Sequence, residues 1–208
     1  MYIMQDIDFV RQALKILASH TVYGSGAFGA SVGNFPTQKK RYYDNTLNRC
    51  GQTAANKLLK EAESAPCFSF DCVGLLKAIL WNFSFKADKV YGGAAYKSNG
   101  VPDAGAGATG LISYCTDVST DFSKIVPGEM LWIDGHAGIY IGDGMAVECT
   151  TAWTGNVLKS VVTNIKAAKA GEHGRKWTKH GKLPWIEYGE QPKPEIVCPC
   201  CGTRFIKE

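Results

Sequence analysis

Residues Cys72-Val73-Gly74-Leu75-Leu76-Lys77-Ala78-Ile79-Leu80-Trp81 form a run that is apolar nearly all the way round a helix. A helix without a polar face must be covered on every side, so the rest of the chain has to supply a shell around it. The 208 residues, 45% hydrophobic and 20% charged, suffice for one domain with a sizeable core, or one domain plus a small appendage. That composition excludes a disordered or coiled-coil protein.

Helical periodicity is clear over 6–18, where Phe9, Val10, Ala13, Leu14 and Leu17 share a face and Asp6 or Asp8 can cap the start. A Gly-rich stretch spans 24–33, and a polar, aromatic stretch containing Lys39-Lys40-Arg41-Tyr42-Tyr43 spans 34–51. A second helix is predicted over 52–63. Residues 92–110 hold many glycines and read as a long surface connection. From 129 onward the pattern changes to strands, predicted over 129–133, 137–141, 145–150 and 157–163, with a final one over 183–188. Helices first and strands later predict an α+β fold with an antiparallel sheet. The expected organisation is a domain over 1–188, a Pro-containing linker over 189–195 and a Cys-rich tail over 196–208.

No stretch approaches about 18 consecutive apolar residues, so no transmembrane helix is expected. The opening Met1-Tyr2-Ile3-Met4-Gln5-Asp6 has neither a basic n-region nor an apolar run, which argues against a secretory signal peptide. A net charge of +4 without one long basic block does not point to nucleic acid. Eight cysteines are spread along a chain that can build a core without staples, and they read as reduced thiols.

Among them, Cys72 stands apart. It sits in the first turn of the central helix, with Ser69 or Asp71 as N-cap. The free N–H groups and positive dipole end there favour a thiolate, and a lowered thiol pKa is expected. A nucleophilic Cys also needs a base. His20 follows the first helix, where a cation suits the dipole; His173 and His180 lie in polar stretches and are expected to be solvated. His136 opens an apolar strand and is placed to face a groove.

A base needs an orienter, and the next strand supplies Glu148. With a two-residue turn at Asp143-Gly144, Glu148 falls opposite Ile139 and points away from His136. With a three-residue loop, Gly142-Asp143-Gly144, it falls opposite Gly138 and shares the face of His136, roughly 7–8 Å away on the diagonal. A Cys–His–Glu triad is expected to require the longer loop, with the bare Gly138 leaving room for the contact. An unpaired Glu in so apolar a strand would be costly, which favours a partner.

Phe70-Asp71-Cys72-Val73-Gly74-Leu75, together with His136-Ala137-Gly138-Ile139-Tyr140-Ile141-Gly142-Asp143-Gly144 after Pro127-Gly128-Glu129, resembles the NlpC-type cell-wall peptidases, a papain-like cysteine peptidase family. The family's third catalytic residue falls on Glu148, and Tyr23-Gly24-Ser25-Gly26 is similar to its Tyr-containing Gly-rich segment. Val73 stands where the family commonly has Ser, Glu148 where His is more usual, and the stretch from Tyr23 to Cys72 is longer than the family's. The longer stretch and the unusual third residue resemble phage-borne members.

The resemblance implies a papain-like fold and catalytic Cys72, His136, Glu148 and Tyr23, acting by acyl transfer to water. It implies bacterial peptidoglycan as partner and a stem-peptide amide as the bond cut, most often between D-glutamate and the diamino acid. The muramoyl–L-alanine amide is the alternative within that class. Trp153, Tyr42, Tyr43 and Asp71 are the candidate substrate-binding residues. A phage-type endolysin would wait in the cytoplasm until holins release it, without inserting in the membrane.

An acyltransferase or transglutaminase-like enzyme on the same fold and a non-enzymatic binding module with Cys72 as a core thiol are the competing readings. No cofactor is expected for the triad. In the tail, Cys198-Pro199-Cys200-Cys201-Gly202 contains a C-x-x-C of the zinc-knuckle kind. Structural zinc takes four ligands, and no second C-x-x-C exists, so zinc at Cys198 and Cys201 would need dimerisation or a distant ligand. A flexible tail is the expectation.

Overall fold

The structure, a computed structural model, describes residues 3–90, 100–101 and 107–189, together with the backbone of 195–197 and 204–206. It is mixed α+β. The helices are α1 (Asp6–Leu17), α2 (Pro36–Cys50), α3 (Gln52–Glu61), α4 (Cys72–Leu80) and α5 (Ala108–Ile112). The early strands are β1 (Met4–Gln5), β2 (Thr21–Tyr23), β3 (Phe28–Ser31) and β4 (Phe68–Phe70). The later ones are β5 (Thr116–Ser119), β6 (Met130–Ile133), β7 (His136–Gly142), β8 (Met145–Cys149), β9 (Val157–Val162), β10 (Gly174–Arg175), β11 (Lys179–Lys182), β12 (Ile186–Glu187), β13 (Glu195–Val197) and β14 (Arg204–Ile206).

Seven strands form one sheet in the order β10-β9-β8-β7-β6-β11-β5, antiparallel except where β10 joins β9. β2, β4 and β3 form a second, three-stranded sheet, in which β4 carries the chain directly into α4. As its composition demands, α4 is buried on all sides: every residue from Val73 to Leu80 is inside, Lys77 included. It packs on β7 and β8, on β3, and on α1.

Two contacts fix where α4 begins. Asp71 is the N-cap, its Oδ1 accepting the Gly74 N–H at 2.6 Å, while its Oδ2 accepts the Gly26 N–H at 2.8 Å. One carboxylate thus ties the Gly-rich segment to the first turn of the helix. Gly74 permits this closeness, since a Cβ there would lie 1.9 Å from the Ala27 carbonyl oxygen.

Several expectations change. Residues 36–50, within the polar, aromatic stretch for which no element was predicted, are a fifteen-residue helix. Only Tyr42 and Thr46 are buried in it, so it has almost no apolar stripe, and its readable sign is Pro36 at the first position. Among the described residues of the stretch predicted as a surface connection over 92–110, Val101 and Ala108 are buried, and Ala108 opens the helix α5. Of the final strand expected over 183–188, only Ile186–Glu187 pairs, in parallel with β1. His180 is not solvated: it lies buried on β11, bonded through Nδ1 to Glu129 and through Nε2 to the Asp121 carbonyl at 3.0 Å.

In the tail, β13 and β14 pair antiparallel, with Glu195 opposite Ile206, so a strand begins at the last residue assigned to the linker. Cys198 and Cys201 lie outside the described residues. Among the described residues no helix is long and apolar enough to cross a membrane, and no group of three or more His, Cys, Asp or Glu is placed to hold a metal ion.

Gly74→Ala provides a sign test of this packing. At an exposed helix position the change would stabilise by about 1 kcal/mol. Here we expect a net loss of about 1–3 kcal/mol, from forcing Ala27 and the helix apart. Urea denaturation measures it, and an unchanged or raised midpoint would count against the contact.

Candidate active site

The β7–β8 hairpin decides whether His136 and Glu148 meet, and it does so by an unexpected route. Gly142 pairs with Met145 across a two-residue Asp143-Gly144 turn, both central residues having positive φ (51° and 66°), as the tight hairpin turn of this hand requires. That alone would turn Glu148 away. A bulge between Tyr140 and Gly142 then shifts the register by one, so that Glu148 falls opposite Gly138. The expected pairing holds, but a bulge and a short turn produce it rather than a three-residue loop.

His136 Nε2 and Glu148 Oε2 are 2.6 Å apart. The carboxylate is fully buried, 0% exposed, and takes three further hydrogen bonds. Ser160 Oγ donates to Oε1 at 2.5 Å, and Arg175 Nε donates to Oε1 at 3.1 Å and to Oε2 at 2.8 Å. Burial alone would raise the Glu148 pKa, but His136, Arg175 and Ser160 outweigh it and hold the carboxyl below its ordinary range. The space over Gly138 is taken by Trp177: a Cβ there would lie 2.8 Å from its ring. That indole stacks on the His136 imidazole, centroids 5.5 Å apart and planes 13° from parallel.

Cys72 approaches the same strand from the other side of the chain. Its sulfur meets the backbone N–H of Ala137, the residue after His136, as well as the N–H groups of Val73 and of Cys72 itself at the helix start. Since Nε2 is engaged by Glu148, Nδ1 is the imidazole nitrogen left for proton exchange. The expected low thiol pKa is not found. Burial, reinforced by the Asp71 carboxylate, pushes the Cys72 thiol up to about 12, against the pull of the three N–H groups. Burial of the sulfur outweighs the helix terminus, because desolvation penalises the charged form directly.

Tyr23 stands beside Cys72 on β2, paired with Phe70 at the end of β4. Burial and the neighbouring Asp71 and Cys72 raise its pKa, so it keeps its phenolic proton. Tyr23 and Cys50 are common to two cavities. One, of about 400 Å3, is lined by Cys72, Asp71, Asn45, Arg49 and Lys77 among others. The other, of about 360 Å3, is lined by Lys57, Thr53 and Trp153. Together they make a cleft with two arms meeting at Tyr23.

The four candidate substrate-binding residues separate here. Trp153 borders the second arm, 43% exposed, with the left-handed φ of 58° that is rare for a bulky residue. Its ring stacks on His173 at 4.7 Å, so His173 is not freely solvated either. Tyr42 cannot line a groove: it is 0% exposed, in a core cluster with Val22, Ala30 and Leu58. Tyr43 packs partly buried against the same cluster, and its hydroxyl accepts from Gln52 at 3.1 Å. Asp71 does line the cleft, but both of its oxygens are occupied by backbone N–H groups, which makes it a structural clasp.

Sequence reasoning missed Arg175, Ser160 and Trp177. A buried Glu calls for a cation, yet nothing local selects Arg175, which arrives by the parallel pairing of β10 with β9. The five described cysteines, Cys50, Cys67, Cys72, Cys115 and Cys149, are all free thiols. No known protein-family model matches this chain, and no curated protein matches it.

Two measurements check these electrostatics. The folded pKa of Glu148 lies below its unfolded value of about 4.3, so its contribution is complete above that value and disappears as pH falls through the acid range. The gap in urea midpoint between wild type and Glu148→Gln is therefore expected to narrow from pH 7 to pH 3; a constant gap would contradict the assignment. For Cys72, peptide-resolved iodoacetamide labelling is expected to keep accelerating above about pH 8, as a thiol without a depressed pKa does. A plateau already reached near pH 6 would overturn the raised thiol.

Proposed function

We propose that this protein is a peptidoglycan hydrolase that cuts a stem-peptide amide by a Cys72–His136–Glu148 thiol mechanism on a papain-like, NlpC-type fold. The bond proposed is the one between D-glutamate and the diamino acid, and the role is that of a phage-type endolysin. The observation that carries the reading is the 2.6 Å bond from His136 to a fully buried Glu148, on the strand whose next N–H meets the Cys72 sulfur. A carboxylate that orients an imidazole beside a helix-terminal thiol is the arrangement nucleophilic acyl transfer needs.

In this mechanism His136 acts as a general base. With Cys72 protonated at rest, Nδ1 takes the thiol proton as the sulfur attacks the amide carbonyl. Backbone N–H groups at the start of α4 and the protonated Tyr23 hydroxyl face the developing oxyanion. His136 then gives the proton to the leaving amine; water, deprotonated by the same imidazole, attacks the thioester, the acyl C–S bond breaks, and the imidazolium returns its proton to the Cys72 sulfur. Glu148 holds the ring in place and stabilises the imidazolium in each half-reaction. Asp71 keeps the Gly-rich wall of the cleft against the helix start.

The two-armed cleft suits an extended peptide with residues on both sides of the scissile bond. Among the described residues lining the arm beside Cys72, Arg49 is cationic, and the carboxylate of Asp71 is occupied by backbone N–H groups. That balance suits a substrate bearing carboxylates, as the stem peptide does.

Mass spectrometry of muropeptides from purified walls, treated with wild type, Cys72→Ser or His136→Ala, tests the reading. New stem-peptide termini from wild type, reduced at least about 1,000-fold in either variant, are the expected result, and the new terminus names the bond. Termini at L-alanine would replace the endopeptidase by the amidase. Release of nothing by any of the three proteins, from walls of several species, would remove the hydrolase reading.

A further inference from the structure

Glu148 is held by two partners with different consequences for His136. Ser160 adds a neutral hydrogen bond, whereas Arg175 adds a full positive charge at 2.8 and 3.1 Å. The guanidinium is fixed independently of that contact: its central carbon lies 4.9 Å from the Trp153 ring and 5.6 Å from the Trp177 ring. Trp177 is the same indole that stacks on the imidazole. Arg175 therefore touches the carboxylate that orients His136, the ring packed on His136, and the aromatic residue bordering the second arm of the cleft.

A lone buried carboxylate bonded to an imidazole favours the imidazolium, and a nearby cation opposes it. The groups surrounding the pair come from several elements. β8 supplies Glu148 and Cys149, β9 supplies Ser160, β10 supplies Arg175, and α4 brings Cys72 with Asp71 at its cap. His173 faces the same assembly through its stack on Trp153. Within this set Arg175 is the cation in contact with the carboxylate.

We propose that Arg175 is a positioning residue whose clamped guanidinium neutralises Glu148, so that His136 faces a closed ion pair instead of a bare anion and rests as the uncharged base. This inference rests on the reading of His136 as the base for Cys72. Without Arg175, His136 would be protonated over a wider pH range and could not accept the thiol proton there. Trp153 and Trp177 hold the guanidinium edge toward the carboxylate, and their stacking makes the position one that Arg fills better than Lys.

The test is an NMR titration of the His136 ring in the full-length wild type, Arg175→Gln and Arg175→Lys, which needs no substrate. Arg175→Gln is expected to raise the His136 midpoint by about one pH unit, and Arg175→Lys, which keeps the charge, to leave it within a few tenths of a unit. On cell walls, the acid limb of kcat/KM should move upward with the midpoint in Arg175→Gln and stay in place in Arg175→Lys. A midpoint that stays at the wild-type value in Arg175→Gln, with activity reduced equally at every pH, would reduce Arg175 to packing and overturn the proposal. If Arg175→Gln does not fold, Trp153→Ala takes its place: loosening one side of the clamp should shift the midpoint upward by a smaller amount, and no shift is equally fatal. A shifted titration in a protein that digests no wall would refute the hydrolase reading while leaving the charge assignment standing.

Discussion

Taking one carboxylate wholly out of water constrains this structure more than any other single interaction. An unpaired buried anion costs several kcal/mol even after relaxation, and Glu148 avoids that penalty only because three side chains from three strands converge on it. The convergence sets conditions elsewhere. The hairpin must carry its bulge so that Glu148 faces inward. Position 138 must lack a side chain so that Trp177 can cover the pair, and β10 must lie beside β9 to deliver Arg175. Each condition is met by a different stretch of chain, so the site forms only when the sheet does.

Cys72 shows two principles in opposition, and the structure lets one win. A helix N-terminus stabilises a thiolate through its free N–H groups, and two such groups, of Cys72 and Val73, reach the sulfur together with the Ala137 N–H of β7. Burial beside the Asp71 carboxylate works against them and prevails. The consequence is chemical: Cys72 rests as a protonated thiol and not as a preformed thiolate. The Tyr23 hydroxyl is kept protonated by burial and by the neighbouring Asp71 and Cys72, so it remains a hydrogen-bond donor.

Much of this was legible beforehand, because it was local. The all-apolar run required a covered helix, and α4 has no solvent face. Alternation located β6 to β9 to within a residue or two, and strand parity narrowed the residue opposite Glu148 to Ile139 or Gly138, of which the structure has Gly138. Where reasoning fell short, the signal was weak or distant. Helix α2 buries two residues and so shows almost no periodicity. A single-residue bulge at Tyr140–Gly142 leaves little trace in composition, although it reverses the outcome that the turn alone would have given. Tyr42, a candidate for the substrate groove, faces inward from α2 into a core cluster, because the contacts that bury it come from residues distant in the chain.

By itself, the amino-acid sequence determined the residue types at the site, the helix start that holds Cys72, and the order of strands that brings His136 and Glu148 onto adjacent ladders. These follow from capping, periodicity and short-range turns, which act over a few residues. Only the tertiary structure decided that Arg175 and Trp177 complete the site, that His180 is buried, and that the thiol of Cys72 is too deeply enclosed to ionise readily. Those outcomes depend on desolvation and on charges from strands distant in the chain, and neither exists until the sheet has closed over the helix.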